Sequence, residues 1–102
     1  MAVLYVTEYV SQARDAKGQQ MVVAAEPPMA DQVVSIGGSS TQSTAFNAST
    51  NFVRIHTDAI CSIQFGTNPT ATTSTRRLAA NTTEYFGVPV GMSYKVAVIT
   101  NT

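Results

Sequence analysis

The second half of the chain is built from short segments in which apolar and polar side chains alternate, each ended by turn residues. This pattern runs from Phe52 to Ile99. A side-chain period of two is that of a β-strand with one buried face, and no segment shows the 3.6-residue period of a long helix. Over the whole chain, about eight short strands at roughly ten-residue spacing predict an all-β fold, either a compact antiparallel β-sandwich or a small barrel.

The length and the absence of repeats predict a single domain. The 102 residues are close to the commonest domain size, so residues 1–102 are expected to form one β domain. Residues 1–10 are predicted as a strand that could also extend as an N-terminal arm. Residues 37–51 are predicted as a flexible Gly/Ser/Thr-rich loop. Residues 11–20 are predicted as a polar loop with at most one helical turn. Strands are predicted from Gln20 to Ala25 and from Asp31 to Ile36, and a short strand or rung at Arg77-Leu78.

The most regular alternation predicts a β-hairpin over residues 52–65. Val53 and Ile55 share one strand face, and Cys61 and Ile63 share a face after the turn. If the two strands pair side by side, these residues form one apolar surface, and the polar residues between them face water.

The charge balance excludes several classes of partner. Only 12% of the residues are charged, and six basic residues cancel six acidic ones, while 9 serines and 14 threonines supply most of the polarity. Nucleic-acid affinity comes mainly from neutralised phosphates, so no nucleic-acid partner is expected. No apolar run approaches the ~20 residues that span a bilayer, so no membrane partner is expected. The first ten residues lack the pattern of a signal peptide, which predicts synthesis in the cytoplasm.

The reactive residues form no constellation typical of catalysis. His56 and Asp58 are near a predicted turn, but one histidine and one acid are a weak signal for a metal or a general base. Cys61 lies mid-strand in an apolar row, where a cysteine is usually a small core residue. We therefore expect no enzyme, no catalytic residue, no metal and no cofactor.

Two pairs of side chains are candidate contacts with other subunits or with the surface of another protein. Tyr5 and Tyr9 share one strand face, and they would anchor a neighbouring subunit if the small core cannot cover them. Strand aromatics more often pack in the core or across strands. Arg76 and Arg77 could contact an acidic partner surface, although two arginines at a strand edge more often serve to discourage edge-to-edge pairing.

The C-terminal half resembles a recurring module in small virion proteins of tailed bacteriophages and prophages. The similar segments are Phe52-Val-Arg-Ile55, Asp58, Cys61-Ser-Ile63, Phe65-Gly-Thr-Asn-Pro-Thr-Ala-Thr72, Leu78, Ala80-Asn-Thr82, Glu84-Tyr-Phe86 and Lys95-Val-Ala-Val-Ile99. The resemblance implies a non-enzymatic β-sandwich that decorates or cements a capsid on the virion surface after synthesis in the host cytoplasm. It implies the major capsid protein as partner and self-association as a homotrimer. No catalytic or ligand residue comes with it.

Two other functions remain open from the sequence. The chain could be a neck, tail or head-fibre component, which would be present in far fewer copies per particle than a cement protein. It could also be a lectin-like binding module, although sugar sites favour exposed tryptophan and clustered acids. This chain has no tryptophan and six scattered acids.

Overall fold

The computed structural model describes residues 2–101, apart from the side chain of Val22. Over this range the chain forms strands and no helix, so it contains no helix that could cross a membrane. The strands are β1 (Val3–Tyr9), β2 (Gln12–Arg14), β3 (Gln20–Ala24), β4 (Ala30–Ser35), β5 (Thr41–Gln42), β6 (Phe52–Thr57), β7 (Cys61–Gly66), β8 (Arg76–Leu78), β9 (Thr82–Gly87) and β10 (Lys95–Thr100). The predicted all-β class is confirmed.

Two four-stranded antiparallel sheets enclose the core. Sheet 1 has the order β4-β1-β6-β9, and sheet 2 has the order β5-β10-β7-β8. Along each strand, side chains that point into the core alternate with side chains that point outward. The architecture is therefore a sandwich and not a closed barrel. The core side chains from sheet 1 include Leu4, Val6, Val34, Val53 and Ile55, and those from sheet 2 include Cys61, Ile63, Leu78, Val96 and Val98.

The hairpin predicted over residues 52–65 is wrong. Strand β6 pairs with β1 and β9, whereas β7 pairs with β10 and β8, so the turn between them crosses from one sheet to the other. The apolar faces containing Val53 and Cys61 meet across the core and not within one sheet. Alternation identifies the buried face of a strand, but it does not identify the neighbour with which the strand pairs.

The polar segment 11–20, predicted as a loop, forms half of a β-ribbon instead. We use "ribbon" for the two-stranded sheet of β2 and β3. Its turn is closed by the Asp15 carboxylate, which accepts hydrogen bonds from the backbone N–H groups of Lys17 and Gln19. Gly18 occupies a positive φ of 81°, a conformation that glycine adopts without steric cost.

Strand β1 and the 37–51 segment are both tied to the sheets. Strand β1 lies between β4 and β6 in the middle of sheet 1. The 37–51 segment contains β5, which pairs with β10. Beyond β5, the backbone N–H of Phe46 donates to the carbonyl of Tyr94.

Candidate interaction surface

The outer face of sheet 2 is covered by the chain itself. Ser62 and Ala97 alternate with core-facing neighbours and so point away from the core, yet both are fully buried. The 67–75 segment lies over them. The side-chain amide of Asn101 donates both to Ser62 Oγ at 2.7 Å and to the Thr73 carbonyl at 3.2 Å, which holds this segment in place.

The outer face of sheet 1 is open and partly apolar. Tyr5, Val33 and Tyr85 lie on this face, and all three side chains are exposed; Val33 retains 62% of its accessible surface. Their outward direction follows from the strand period, because their neighbours Leu4, Val34 and Phe86 lie in or against the core. We refer to this surface as the open face.

The strand register arranges the open face in rows across the sheet. One row runs Asp31, Thr7, Arg54 and Tyr85, as the pairing of β4, β1, β6 and β9 shows. The next row runs Val33, Tyr5, His56 and Thr83. The first three members of each row line a shallow depression of about 290 Å³. An acidic and a basic side chain therefore flank a patch of aromatic and aliphatic surface.

His56 is oriented by its neighbours on the open face. Its Nδ1 lies 2.8 Å from the Thr83 hydroxyl, and its Nε2 lies 3.9 Å from the Asp58 carboxylate. The Tyr5 ring is 6.1 Å from the imidazole, centroid to centroid. Within residues 2–101 no group of three or more His, Cys, Asp or Glu residues is arranged to hold a metal ion.

Tyr9 lies at the end of the open face, but its side chain is buried. The ring stacks on Phe52 with a centroid distance of 5.3 Å and an interplanar angle of 17°. The hydroxyl donates to the Glu26 carboxylate at 2.7 Å. Burial first, and then this carboxylate, raise the pKa of Tyr9 to about 12. Of the two tyrosines predicted as subunit contacts, only Tyr5 is exposed.

The ribbon extends the hairpin of β1 and β4 beyond the sandwich. The Ala25 N–H donates to the Ser11 carbonyl, so pairing continues past the sheet 1 strands. Of the ribbon side chains that the structure describes, which exclude that of Val22, none belongs to the core cluster. Four aliphatic side chains on the ribbon and at its base are 42–53% exposed: Val10, Met21, Val23 and Met29. Met21 and Val23 are two residues apart on β3 and so lie on the same side of the ribbon, and neighbouring exposed aliphatic residues indicate a binding surface more strongly than single ones do.

A groove of about 560 Å³ separates the ribbon from the edge of sheet 1. Val23 and Gln20 line it on the ribbon side, and Phe52, Tyr85 and Gly87 line it on the sheet side. The groove therefore continues from the exposed aliphatic surface of the ribbon to the open face.

Arg76 and Arg77 have different environments, although both are exposed. The guanidinium of Arg76 in sheet 2 lies 4.9 Å from the ring centroid of Phe86 in sheet 1, so this cation–π contact joins the two sheets. Arg77 is the next residue on β8, so its side chain points to the opposite face of the strand. The predicted short strand around these residues is confirmed as β8.

Cys61 is confirmed as a core residue. It is fully buried, and its Sγ lies 3.5 Å from the Thr57 hydroxyl. Burial raises the pKa of the thiol above its ordinary value, which opposes thiolate formation. This site offers no accessible nucleophile.

No protein-family model, curated protein or solved structure matches this chain. Its functional interpretation therefore depends on the chemistry of its surfaces. The sequence predicts the strand that corresponds to β3, but it missed β2 and the pairing of the two strands in a ribbon because residues 11–20 are polar. The signal that could have revealed it is the Asp15-to-Gly18 turn, followed directly by the strand-favouring run from Met21 to Val23.

Proposed function

We propose that this chain is a non-enzymatic structural protein of a bacteriophage particle, which decorates or cements the capsid. In this proposal the ribbon contacts the major capsid protein on the virion surface. The resemblance of the C-terminal half to small phage virion proteins supplies the particle context. The structure supports a binding role because seven of its nine exposed large apolar side chains lie on two connected surfaces, the ribbon with its base and the open face.

The observation that carries the proposal is the ribbon with its four exposed aliphatic side chains. Burying an aliphatic side chain stabilises a complex by about 1.5–3 kcal/mol when the burial is complete. Met21 and Val23 keep 43% and 53% of their surface exposed, so a partner can still bury a substantial part of each. They lie outside the core cluster, so a partner can reach them without opening the sandwich.

Repeated contacts would make such a small surface effective on a shell. One ribbon offers a limited apolar area and therefore weak attachment. Copies that also contact each other bind as a connected layer, because the second contact is made at high effective concentration. Association of the chain with copies of itself is part of this proposal, and the homotrimer implied by the resemblance stays a prediction.

The test is co-sedimentation of the purified chain with capsid particles of the phage or prophage that encodes it, stripped of this chain. The variant Met21→Ser/Val23→Ser removes apolar surface from the ribbon. The matched control Val90→Ser/Met92→Ser makes the same two changes in the turn before β10, where Val90 and Met92 are 57% and 53% exposed. We expect the ribbon variant to bind roughly tenfold to a hundredfold more weakly and the control to bind like the wild type.

The outcome also separates the alternative functions. Saturation at hundreds of copies per particle, with better survival of heated particles, supports cementing. Saturation at a few dozen copies would support a neck, tail or head-fibre component. Equal binding by both variants would refute the role of the ribbon, and selective micromolar binding on a glycan array would favour the lectin-like alternative.

A further inference from the structure

We propose that a second copy of this chain packs on the open face of sheet 1, related to the first by a twofold axis that lies parallel to β1, midway between the two facing sheets. The surface is distinct from the ribbon that the capsid proposal uses, and the inference does not depend on that proposal. Its basis is the position of two opposite charges in one row of the sheet.

The row Asp31, Thr7, Arg54 is self-complementary under this symmetry. Asp31 on β4 and Arg54 on β6 are the partners of Thr7 on either side of β1, so they lie at equal distances from that strand. A rotation of 180° about this axis exchanges the two sides of β1 and turns the face over. It therefore places Asp31 of each copy opposite Arg54 of the other, which gives two equivalent cross-copy ion pairs.

The two charges are available for such pairs. Within the described residues, the only ion pair closer than 4 Å is the contact of His56 with Asp58. Asp31 and Arg54 are separated by the width of two strand spacings, roughly 10 Å, with Thr7 between them. Facing sheets are commonly rotated by about 30°, which displaces positions 5 Å from the axis by about 3 Å or less. The long arginine side chain can span such a displacement.

The neighbouring row fits the same arrangement. Tyr5 lies on β1 and would therefore face Tyr5 of the other copy, while Val33 would lie opposite His56. Two facing tyrosine rings provide large contact area at a low cost in side-chain entropy. Tyr5 and Val33 of each copy would thus be covered by the other copy and not by the capsid.

The size of the face sets the strength of the contact. With the axis over β1, three strands of each copy overlap (β4, β1 and β6), and at 4.8 Å spacing and about six residues in length they give a face of roughly 300 Å² per copy. A standard stable interface buries about 800 Å² per partner. We therefore expect a weak dimer that forms in the micromolar-to-millimolar range and strengthens where copies are concentrated.

The decisive test uses charge reversal and mixing. Asp31→Arg alone places two arginines at each contact, and Arg54→Asp alone places two aspartates there. Each single variant is expected to dimerise at least about tenfold more weakly than the wild type in sedimentation equilibrium. An equal mixture of the two variants restores both opposite-charge pairs in a mixed dimer, so dimerisation should return. Arg77→Asp, a charge reversal on sheet 2, is the matched control and should leave dimerisation unchanged.

The possible results are separable. A wild-type chain that is still monomeric at roughly millimolar concentration, the upper end of the expected range, overturns the proposal. The homotrimer that the resemblance implies is the competing outcome, and finding it would also overturn the twofold dimer. So would a dimer that neither single variant weakens, or one that mixing does not restore. Circular dichroism and thermal melting establish that each variant is folded before it is scored.

A cross-linking measurement tests the same axis without changing the charges. In the proposed dimer Thr7 faces Thr7 across the axis at about 10 Å, whereas the two Thr83 positions on β9 lie roughly 20 Å apart. A short bismaleimide should therefore join Thr7→Cys chains and not Thr83→Cys chains. The native Cys61 is fully buried and should give no background. Equal cross-linking of the two variants contradicts the axis.

Discussion

The Glu8 carboxylate accepts a hydrogen bond from the Thr50 hydroxyl at 2.7 Å, and both side chains are almost fully buried. The same carboxylate oxygen accepts the backbone N–H of Asn47 at 2.7 Å. The other oxygen accepts the side-chain amide of Gln32 at 2.8 Å. One buried acid on β1 thus joins sheet 1 to the turn that leads into β6.

We expect Glu8→Gln to destabilise the protein by about 1–3 kcal/mol. A glutamine presents an NH₂ group in place of one acceptor oxygen, so it meets either the amide of Gln32 or the donors of the 47–50 turn. Gln32 cannot turn its amide round without cost, because its carbonyl oxygen accepts both the N–H and the hydroxyl of Thr44. Urea unfolding monitored by circular dichroism measures the change. The control Glu84→Gln, at an exposed residue, should shift stability by less than about 0.5 kcal/mol, and equal effects of the two changes would contradict this account.

Val33 and Val34 are adjacent on β4 and should respond very differently to the same substitution. Val34 is 4% exposed and belongs to the core, whereas Val33 is 62% exposed on the open face. We expect Val34→Ala to cost about 1–3 kcal/mol and Val33→Ala to cost less than about 0.5 kcal/mol in the monomer. Thermal and urea unfolding at low protein concentration measure both. A larger loss for Val33→Ala would show that the register of β4 is shifted by one residue.

This pair of valines shows how far the sequence predicts the fold. The alternation and the turn residues predict that β4 and the strands after β5 exist, because both signals are local. Two adjacent β-branched residues do not show which of them faces the core, since that depends on the register with β1. The pairing of β6 was predicted wrongly for the same reason: a strand's neighbours are set by long-range contacts that a local pattern does not contain.

The candidate surface was predictable only in part. Tyr5 could be proposed as a contact from its strand face, and it is exposed. Tyr9 shares that face but is covered by Phe52 and hydrogen-bonded to Glu26, which is distant in sequence. The exposure of Tyr85 depends on β9 being the edge strand of sheet 1. Whether such a side chain is exposed depends on the strand order and on contacts between distant residues, so a local sequence pattern does not show it.

The raised pKa of Tyr9 predicts a specific loss of stability at alkaline pH. The phenol has an ordinary pKa of 10.0 and a pKa of about 12 in the folded chain. Between these values the unfolded chain releases the proton while the folded chain keeps it, so stability falls as pH rises from about 10 to 12. The contribution is fully present below pH 10. We expect it to amount to about 1–2 kcal/mol.

The variant Tyr9→Phe isolates this contribution from the titration of other groups. At neutral pH it should be less stable than the wild type by about 1 kcal/mol, because the hydrogen bond to Glu26 is lost. The difference between the two proteins should shrink as pH rises from 10 to 12. Urea unfolding at a series of pH values measures it, and a difference that stays constant over this range would show that the Tyr9 pKa is not raised.

The neighbouring arginines on β8 provide a matched comparison across the sandwich. The Arg76 guanidinium lies 4.9 Å from the Phe86 ring centroid, whereas no such contact is made by Arg77 within the described part of the chain. We expect Arg76→Gln to cost about 0.5–1 kcal/mol and Arg77→Gln to cost a few tenths at most. A double-mutant cycle with Phe86→Leu isolates the pairwise term, since the cost of Arg76→Gln should largely disappear in the Phe86→Leu background. If Arg76→Gln costs the same in both backgrounds, the contact contributes nothing to stability, and Arg76 joins Arg77 as a residue free to meet an acidic partner surface.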